Sequence, residues 1–371
     1  MNRPAFRTCF VRSNIGLLTC LLVSTGCSPS QPLLTHCEDA MGIHAICGFQ
    51  NPEDLALLPD QRRVVVSQFG AMDGARPGNL GIFDLETEAF EVVYTGGDNG
   101  AESADEVWGD PLCPAPPSAD FSPHGLDLAT NAEGALQLLV VNHGGRESIE
   151  FFEVTGPPEQ PDLIWRGCVI APENTSLNDV VHLPGGGFLT THMFPQESHA
   201  FGMVEAALGL DTGLVLEWNS RGGWTDVPGT KAPFPNGIEI SDDGRLIYLN
   251  SYMAGEVRRI DRVTGEQTGV ANVSSPDNSS WSQDGRLLVA SHEGGIADQV
   301  SCYGLLTGAC PMAFKIVAID PETFETQTLF RNEGPPMGAG TIAIDTGSEL
   351  LMGSFAGDRM IRVPLKNEKT E

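Results

Sequence analysis

Oxygen-bearing side chains recur at matching places along this chain. Glu53-Asp54, Asn178-Asp179, Asn236 and Asp277-Asn278 each open a stretch of alternating apolar residues, and His124 opens another. Carboxylate and amide oxygens gathered at one point suit a hard cation. Calcium takes about six to eight oxygen ligands at about 2.3–2.6 Å and accepts amide as well as carboxylate oxygens, whereas magnesium keeps more of its water. Glu53, Asn178, Asn236, Asp277 and Asn278 would supply five ligands carrying two negative charges, with water or substrate completing the sphere. Asp54 and Asp179 offer a second, deeper calcium. The set lacks the paired His or Cys that zinc favours.

The histidines are the other chemical signal. His124 stands in Pro123-His124-Gly125, His143 ends Val141-Asn142-His143, and His292 plays the equivalent part in Ala290-Ser291-His292. A lone histidine is most often structural. Beside a cation that polarises an ester, a neutral imidazole can instead serve a hydrolytic site as base.

Such residues need elements that converge. Six segments share one pattern, two period-2 strands joined by an Asp-Gly or Gly-rich turn. They start at Glu53, His124, Asn178, Asn236, Asp277 and Gly340, with successive starts 41 to 71 residues apart. Further strands follow in several repeats. Six such units predict an all-β, six-bladed β-propeller, whose radial repetition leaves only short sheet edges. That architecture brings the opening residues to one channel mouth. Glu197–Leu210 (ESHAFGMVEAALGL) breaks the pattern. Phe201, Val204 and Leu208 fall at helical spacing, which predicts a short helix that either packs on the propeller or forms a lid over the mouth.

Composition bounds the class. The 371 residues include 43 Gly, 26 Pro, 21 Lys+Arg and 49 Asp+Glu, for a net charge of −28. A chain this acidic is a poor match for nucleic acid or anionic membrane surfaces, which need basic patches. At the N-terminus, Arg3, Arg7 and Arg12 precede the short apolar run Ile15–Val23 and the sequence Ser24-Thr25-Gly26-Cys27. Residues 1–27 therefore read as an export signal, either an ordinary cleaved peptide or a bacterial lipoprotein signal that would anchor the chain through lipidated Cys27. Residues 28–46 read as a tether and 47–371 as the propeller. Beyond Cys27 six cysteines remain, compatible with three disulfides in an exported chain. Cys37–Cys47 and Cys302–Cys310 are the expected local pairs. The connectivity is otherwise open.

The residues in order carry a family resemblance. Pro52-Glu53-Asp54-Leu55, Pro123-His124-Gly125, Leu139-Val140-Val141-Asn142-His143, Leu177-Asn178-Asp179-Val180, Phe234-Pro235-Asn236-Gly237-Ile238 and Asp277-Asn278 resemble the serum paraoxonases, calcium-dependent lactonases and arylesterases. The likeness runs from about Glu53 to Val363. Gluconolactonase-like and strictosidine-synthase-like propellers share the shape but not, in general, the paired histidine motifs. The resemblance implies two calcium ions. The catalytic one would sit on Glu53, Asn178, Asn236, Asp277 and Asn278. The structural one would sit on Asp54, Asp179 and the backbone carbonyl of Leu126. It further implies His124 as general base, His143 as its dyad partner, and His292 and Phe234 as pocket-lining residues. The expected protein is an exported, monomeric hydrolase of small-molecule lactones and aryl esters. A calcium-stabilised binding propeller and a sugar-lactone hydrolase using another divalent metal are the alternatives. Two departures stand out. The family's disulfide to the C-terminal region has no counterpart after Cys310, and Thr191-His192-Met193 replaces an aspartate-containing turn.

Overall fold

Alternation along single strands decides how this chain packs. In Val64-Val65-Val66 the outer two valines join one apolar cluster and the middle one joins another. Leu138 and Val140 likewise face one way, and Leu139 and Val141 the other. Side chains of period 2 on a strand buried on both faces must fill two cores, so each sheet needs a neighbour on either side. Six sheets satisfy this only by closing into a ring. The computed structural model, which describes residues 32–72, 74–97, 107–305 and 307–365, shows that ring as a six-bladed β-propeller.

The chain enters through β1 (His44–Cys47). The first blade is β2 (Pro52–Leu57), β3 (Arg63–Gln68), β4 (Asn79–Asp84) and β5 (Phe90–Tyr94). The second adds the short β6 (Trp108–Gly109) to β7 (Pro123–Thr130), β8 (Leu136–Asn142), β9 (Ser148–Thr155) and β10 (Asp162–Ile170). The third is β11 (Leu177–His182), β12 (Phe188–His192), β13 (Leu214–Asn219) and β14 (Gly223–Asp226). The fourth is β15 (Pro235–Ile240), β16 (Leu246–Ser251), β17 (Glu256–Asp261) and β18 (Gln267–Asn272). The fifth is β19 (Pro276–Trp281), β20 (Leu287–His292), β21 (Phe314–Ile319) and β22 (Thr326–Asn332). The sixth is β23 (Gly340–Asp345), β24 (Glu349–Ser354) and β25 (Arg359–Pro364), completed by β1. The first strands of successive blades pack side by side, and β23 returns to β2. Six apolar clusters fill the six blade-to-blade interfaces.

Part of the expected tether belongs to the propeller. β1 pairs antiparallel with β25, from His44 opposite Arg362 to Cys47 opposite Arg359. Upstream, Leu34 bridges Ala309, and the buried Arg359 guanidinium donates to the carbonyls of Leu34 and His36. A strand from one chain end covers the edge left by the other. The signal segment with Cys27, and residues 28–31 of the tether, lie outside the described residues.

The cysteines pair as Cys37–Cys47, Cys113–Cys168 and Cys302–Cys310. The expected helix is present as α1 (His199–Ala207), between the second and third strands of the third blade. Its apolar residues do not pack as their spacing suggested. Ala206 is buried, whereas Phe201, Val204 and Leu208 are 75%, 58% and 74% exposed. A second helix, α2 (Ile296–Cys302), occupies the same place in the fifth blade. Among the described residues, no helix is long and apolar enough to cross a membrane.

Candidate active site

Every innermost strand is irregular at the residues singled out above. The ladder between first and second strands shifts register between Pro52 and Asp54, Pro123 and Leu126, Leu177 and Val180, Pro235 and Ile238, Pro276 and Ser279, and Gly340 and Ile342. A bulge removes residues from the ladder and re-aims their side chains. The skipped residues include Glu53, His124, Asn178, Asp179, Asn236, Asp277 and Asn278. The glycines after His124 and Asn236 have a steric reason. A Cβ on Gly125 would meet the Asp179 Cα at 2.6 Å, and one on Gly237 the Asp277 carbonyl oxygen at 2.5 Å. Neighbouring strands cross there too closely for any side chain.

Polar side chains stitch the bulges together. Thr341 Oγ1 donates to the Glu53 carbonyl at 2.6 Å, and Thr191 Oγ1 to the Asn236 carbonyl at 2.5 Å. The Asn250 amide donates to the Asp277 carbonyl and to Ser279 Oγ.

His124 and His143 are in contact, with His124 Nδ1 2.9 Å from His143 Nε2. The Glu147 carboxylate lies 3.0 Å from His143 Nδ1 and also accepts from the Leu177 backbone N–H at 2.5 Å. A carboxylate can only accept, so His143 Nδ1 carries a proton. In the neutral pair His143 Nε2 then accepts from His124 Nδ1–H, which leaves His124 Nε2 with its lone pair free. That nitrogen lies 3.3 Å from Glu53 Oε1. Phe69 packs edge-on against His124, its ring centroid 5.1 Å away. Burial, and then the His143 ring, hold His124 well below the usual histidine range. Burial opposes charging His143 too, but the charge and hydrogen bond of Glu147 outweigh it and raise its pKa.

The oxygen cluster lies against this dyad. Asn278 Nδ2 donates to Glu53 Oε1 at 2.9 Å. Four buried oxygens, Glu53 Oε2, Asn178 Oδ1, Asn236 Oδ1 and Asn278 Oδ1, have no hydrogen-bond partner. A buried acceptor without a partner costs about 1–3 kcal/mol, and these four sit at the bulges of four innermost strands, where one cation would serve them together. Burial pushes Glu53 up to about 8, and burial with the Glu53 charge raises Asp277 well above the carboxylate range. These groups fit a calcium-like cation, which would satisfy the amide oxygens and restore both carboxylates to their charged form. Among the described residues, His, Cys, Asp and Glu side chains alone form no metal-holding group of three. The set depends on its asparagines.

The deeper pair rests on different evidence. Asp54 accepts from the backbone N–H groups of Leu55 and Leu126, and Asp179 from those of Val180 and Ile238. Their oxygens have partners, yet burial raises both pKa values, with the Glu53 charge acting on Asp54 and the Asp54 charge on Asp179. Two buried carboxylates repel across this gap, which a cation would relieve. The structure places the Leu126 backbone here through its N–H.

His292 is buried, and burial lowers its pKa to about 4. Its Nε2 is 3.4 Å from Asp277 Oδ2. Phe234 takes a left-handed backbone conformation, φ 58°, immediately before β15, and its ring packs on Phe194 and Tyr252. Glu147, Tyr252 and Thr341 were not singled out from sequence, and Thr191 was noted only within a turn that departs from the family pattern. Glu147 follows His143 by four residues, but only a known turn geometry would turn that spacing into a contact.

A family model for arylesterases matches residues 45–360. The chain belongs to the arylesterase family. Human serum paraoxonase/arylesterase 1 is 23% identical over 344 residues, covering 87% of this chain and 88% of that protein. Dog serum paraoxonase/arylesterase 2 is 23% identical over 248 residues, covering 64% and 67%. Among solved structures, a gluconolactonase from Xanthomonas campestris superposes with a TM-score of 0.52 at 15% identity, over 91% of this arylesterase-family chain and 99% of its own. A luciferin-regenerating enzyme gives 0.50 at 12% identity, over 86% and 92%. These two similarities bear on the fold alone.

Proposed function

We propose that this chain is an exported, calcium-dependent hydrolase of lactones and aryl esters. The observation that carries the reading is the four unpartnered buried oxygens set against a histidine dyad. Membership of the arylesterase family supports ester hydrolysis as the reaction class.

Glu53, Asn178, Asn236, Asp277 and Asn278 would hold the catalytic calcium, and Asp54, Asp179 and the Leu126 carbonyl a structural one. When bound, the catalytic ion would supply Lewis-acid polarisation of the substrate carbonyl. His124 Nε2 takes a proton from the attacking water as the water oxygen bonds to the carbonyl carbon. His143 and Glu147 hold the ring with that nitrogen free. As the carbon–oxygen ester bond breaks, His124 returns the proton to the leaving oxygen, and the products are a carboxylic acid and an alcohol or phenol. Base catalysis of this kind contributes on the order of 10²–10⁴-fold in rate. Three disulfides suit an oxidising compartment, which supports export; a lipoprotein signal would add an anchor at Cys27.

The test is a panel of lactones and phenyl esters offered to the full-length protein in calcium. Turnover of members of both classes is expected. Binding of these compounds without hydrolysis of any of them would replace the reading with that of a binding propeller.

A further inference from the structure

The bulge that aims Asn236 is gripped from the third blade at both ends. Its residues, Asn236 and Gly237, drop out of the ladder between Pro235 and Ile238. At one end Thr191 Oγ1 donates to the Asn236 carbonyl at 2.5 Å. At the other the Ile238 N–H donates to Asp179 Oδ2 at 2.9 Å. Thr191 and Asp179 are themselves joined, because the Asp179 N–H donates to Thr191 Oγ1 at 3.0 Å. Thr190 Oγ1 donates to the Asp179 carbonyl at 2.7 Å, so β12 holds Asp179 by both its backbone groups. Thr190, Thr191, Asp179 and Asn236 are all buried.

The ends of this chain of bonds set its direction. A backbone N–H only donates and a carbonyl only accepts, so the Thr191 hydroxyl accepts from Asp179 and points its one proton at Asn236. That direction is the same whatever the charge on Asp179. Thr341 and Asn250 make comparable contacts with the Glu53 and Asp277 carbonyls. Thr191 differs in also bonding a residue of the deeper pair. Asp179 belongs to that pair, whereas Asn236 Oδ1 is one of the four unpartnered oxygens of the catalytic set. The closed circuit of bonds therefore ties a ligand of one site to the backbone that aims a ligand of the other. Without an ion, the repulsion between Asp54 and Asp179 loosens this grip. With an ion between them, Asp179 is fixed and the bulge with it.

We propose that Thr191 is a positioning residue that couples the two cation sites, so that an ion on Asp54 and Asp179 presets Asn236 for the catalytic one. The inference rests on the two-ion reading above. Two like-charged ions also repel each other. That repulsion does not depend on the Thr191 hydroxyl, so substitutions at residue 191 isolate the bridge. Linkage makes the coupling reciprocal, and each ion should tighten the other by the same factor through it.

Calorimetric calcium titration of the chelated full-length protein, read as two affinities, tests this. Asp54→Asn weakens the deeper site, and its effect on the affinity of the catalytic site measures the coupling, as in a double-mutant cycle. Thr191→Val loses the hydroxyl but keeps the branched shape. Its catalytic site should bind calcium about fivefold more weakly, the scale of one net hydrogen bond. The effect of Asp54→Asn on that site should shrink by the same factor. Thr191→Ser keeps the hydroxyl and should keep both native values. An effect of Asp54→Asn that is equal in the native and Thr191→Val backgrounds would overturn the bridge. Equal losses in Thr191→Val and Thr191→Ser would overturn it too, by assigning the effect to packing. Should Thr191→Val not fold, hydrogen exchange in Asn236→Ala decides. There, calcium at the deeper site should slow exchange of the Ile238 amide, and an unchanged rate would overturn the proposal. Two ions that bind independently would leave the two-ion reading standing and sink the coupling alone, whereas a protein that binds no calcium would overturn both.

Discussion

Asn236 and His124 occupy equivalent bulges on different blades, yet their loss should leave different signatures. Asn236→Ala removes one neutral oxygen from the cation set. It should weaken calcium binding, so that activity returns as calcium is raised. His124→Gln keeps rough size and polarity but cannot accept a proton near neutral pH. Its kcat should fall on the order of 10²–10⁴-fold and stay low at saturating calcium. Calcium-response curves for the two variants check this directly. A near-native kcat for His124→Gln on more than one lactone would remove His124 from the mechanism. The residue types at these positions were legible in the sequence because each opener interrupts an otherwise alternating strand. Glu147 and Tyr252 were not, because their roles depend on contacts made across turns and blades that no spacing encodes.

At the scale of elements, the closing strand has the largest consequence. β1 buries Ile46, and nearby Ile43 is buried too, while the strand covers the edge of β25. Removing residues 32–47 deletes both Cys37 and Cys47 and loses roughly 3–6 kcal/mol from those two isoleucines. The truncated protein should melt at lower temperature and associate as concentration rises, because β25 becomes an unpaired edge. Differential scanning calorimetry and sedimentation are the measurements, and a monomer with native melting behaviour would contradict the closure. The six hairpins were readable from alternation and from turns such as Asp243-Gly244, where Gly244 adopts φ 70°. β1 was not, since four residues show little periodicity and their partner lies more than 300 positions away in the chain. For α1, the spacing gave the helix but not its orientation. Ala206 is its buried contact, and the larger residues face outward.

At the scale of the whole molecule, a strongly acidic chain collects further carboxylates along its axis. Glu53, Asp54, Asp179 and Asp277 all have pKa values raised first by burial. A carboxyl whose folded pKa is raised stabilises the fold below its unfolded value, and that contribution is lost as pH climbs through the folded one. For Glu53 the window runs from the ordinary 4.5 to about 8. A cation in the channel removes this dependence by making the charged forms the favoured ones. The gap in melting temperature between calcium-loaded and chelated protein should therefore widen as pH rises across that window. A gap that stays constant or narrows would contradict the placement of the cation among these carboxylates.

Calcium titration of the chelated full-length protein tests the central claim most directly, with heat of binding and hydrolysis of one lactone and one phenyl ester followed together. Two ions should bind per chain. Hydrolysis of both substrates should appear only as calcium binds, and the melting temperature should rise with occupancy, since a ligand specific for the folded state stabilises it. Full hydrolysis and an unchanged melting temperature after exhaustive calcium removal would contradict it.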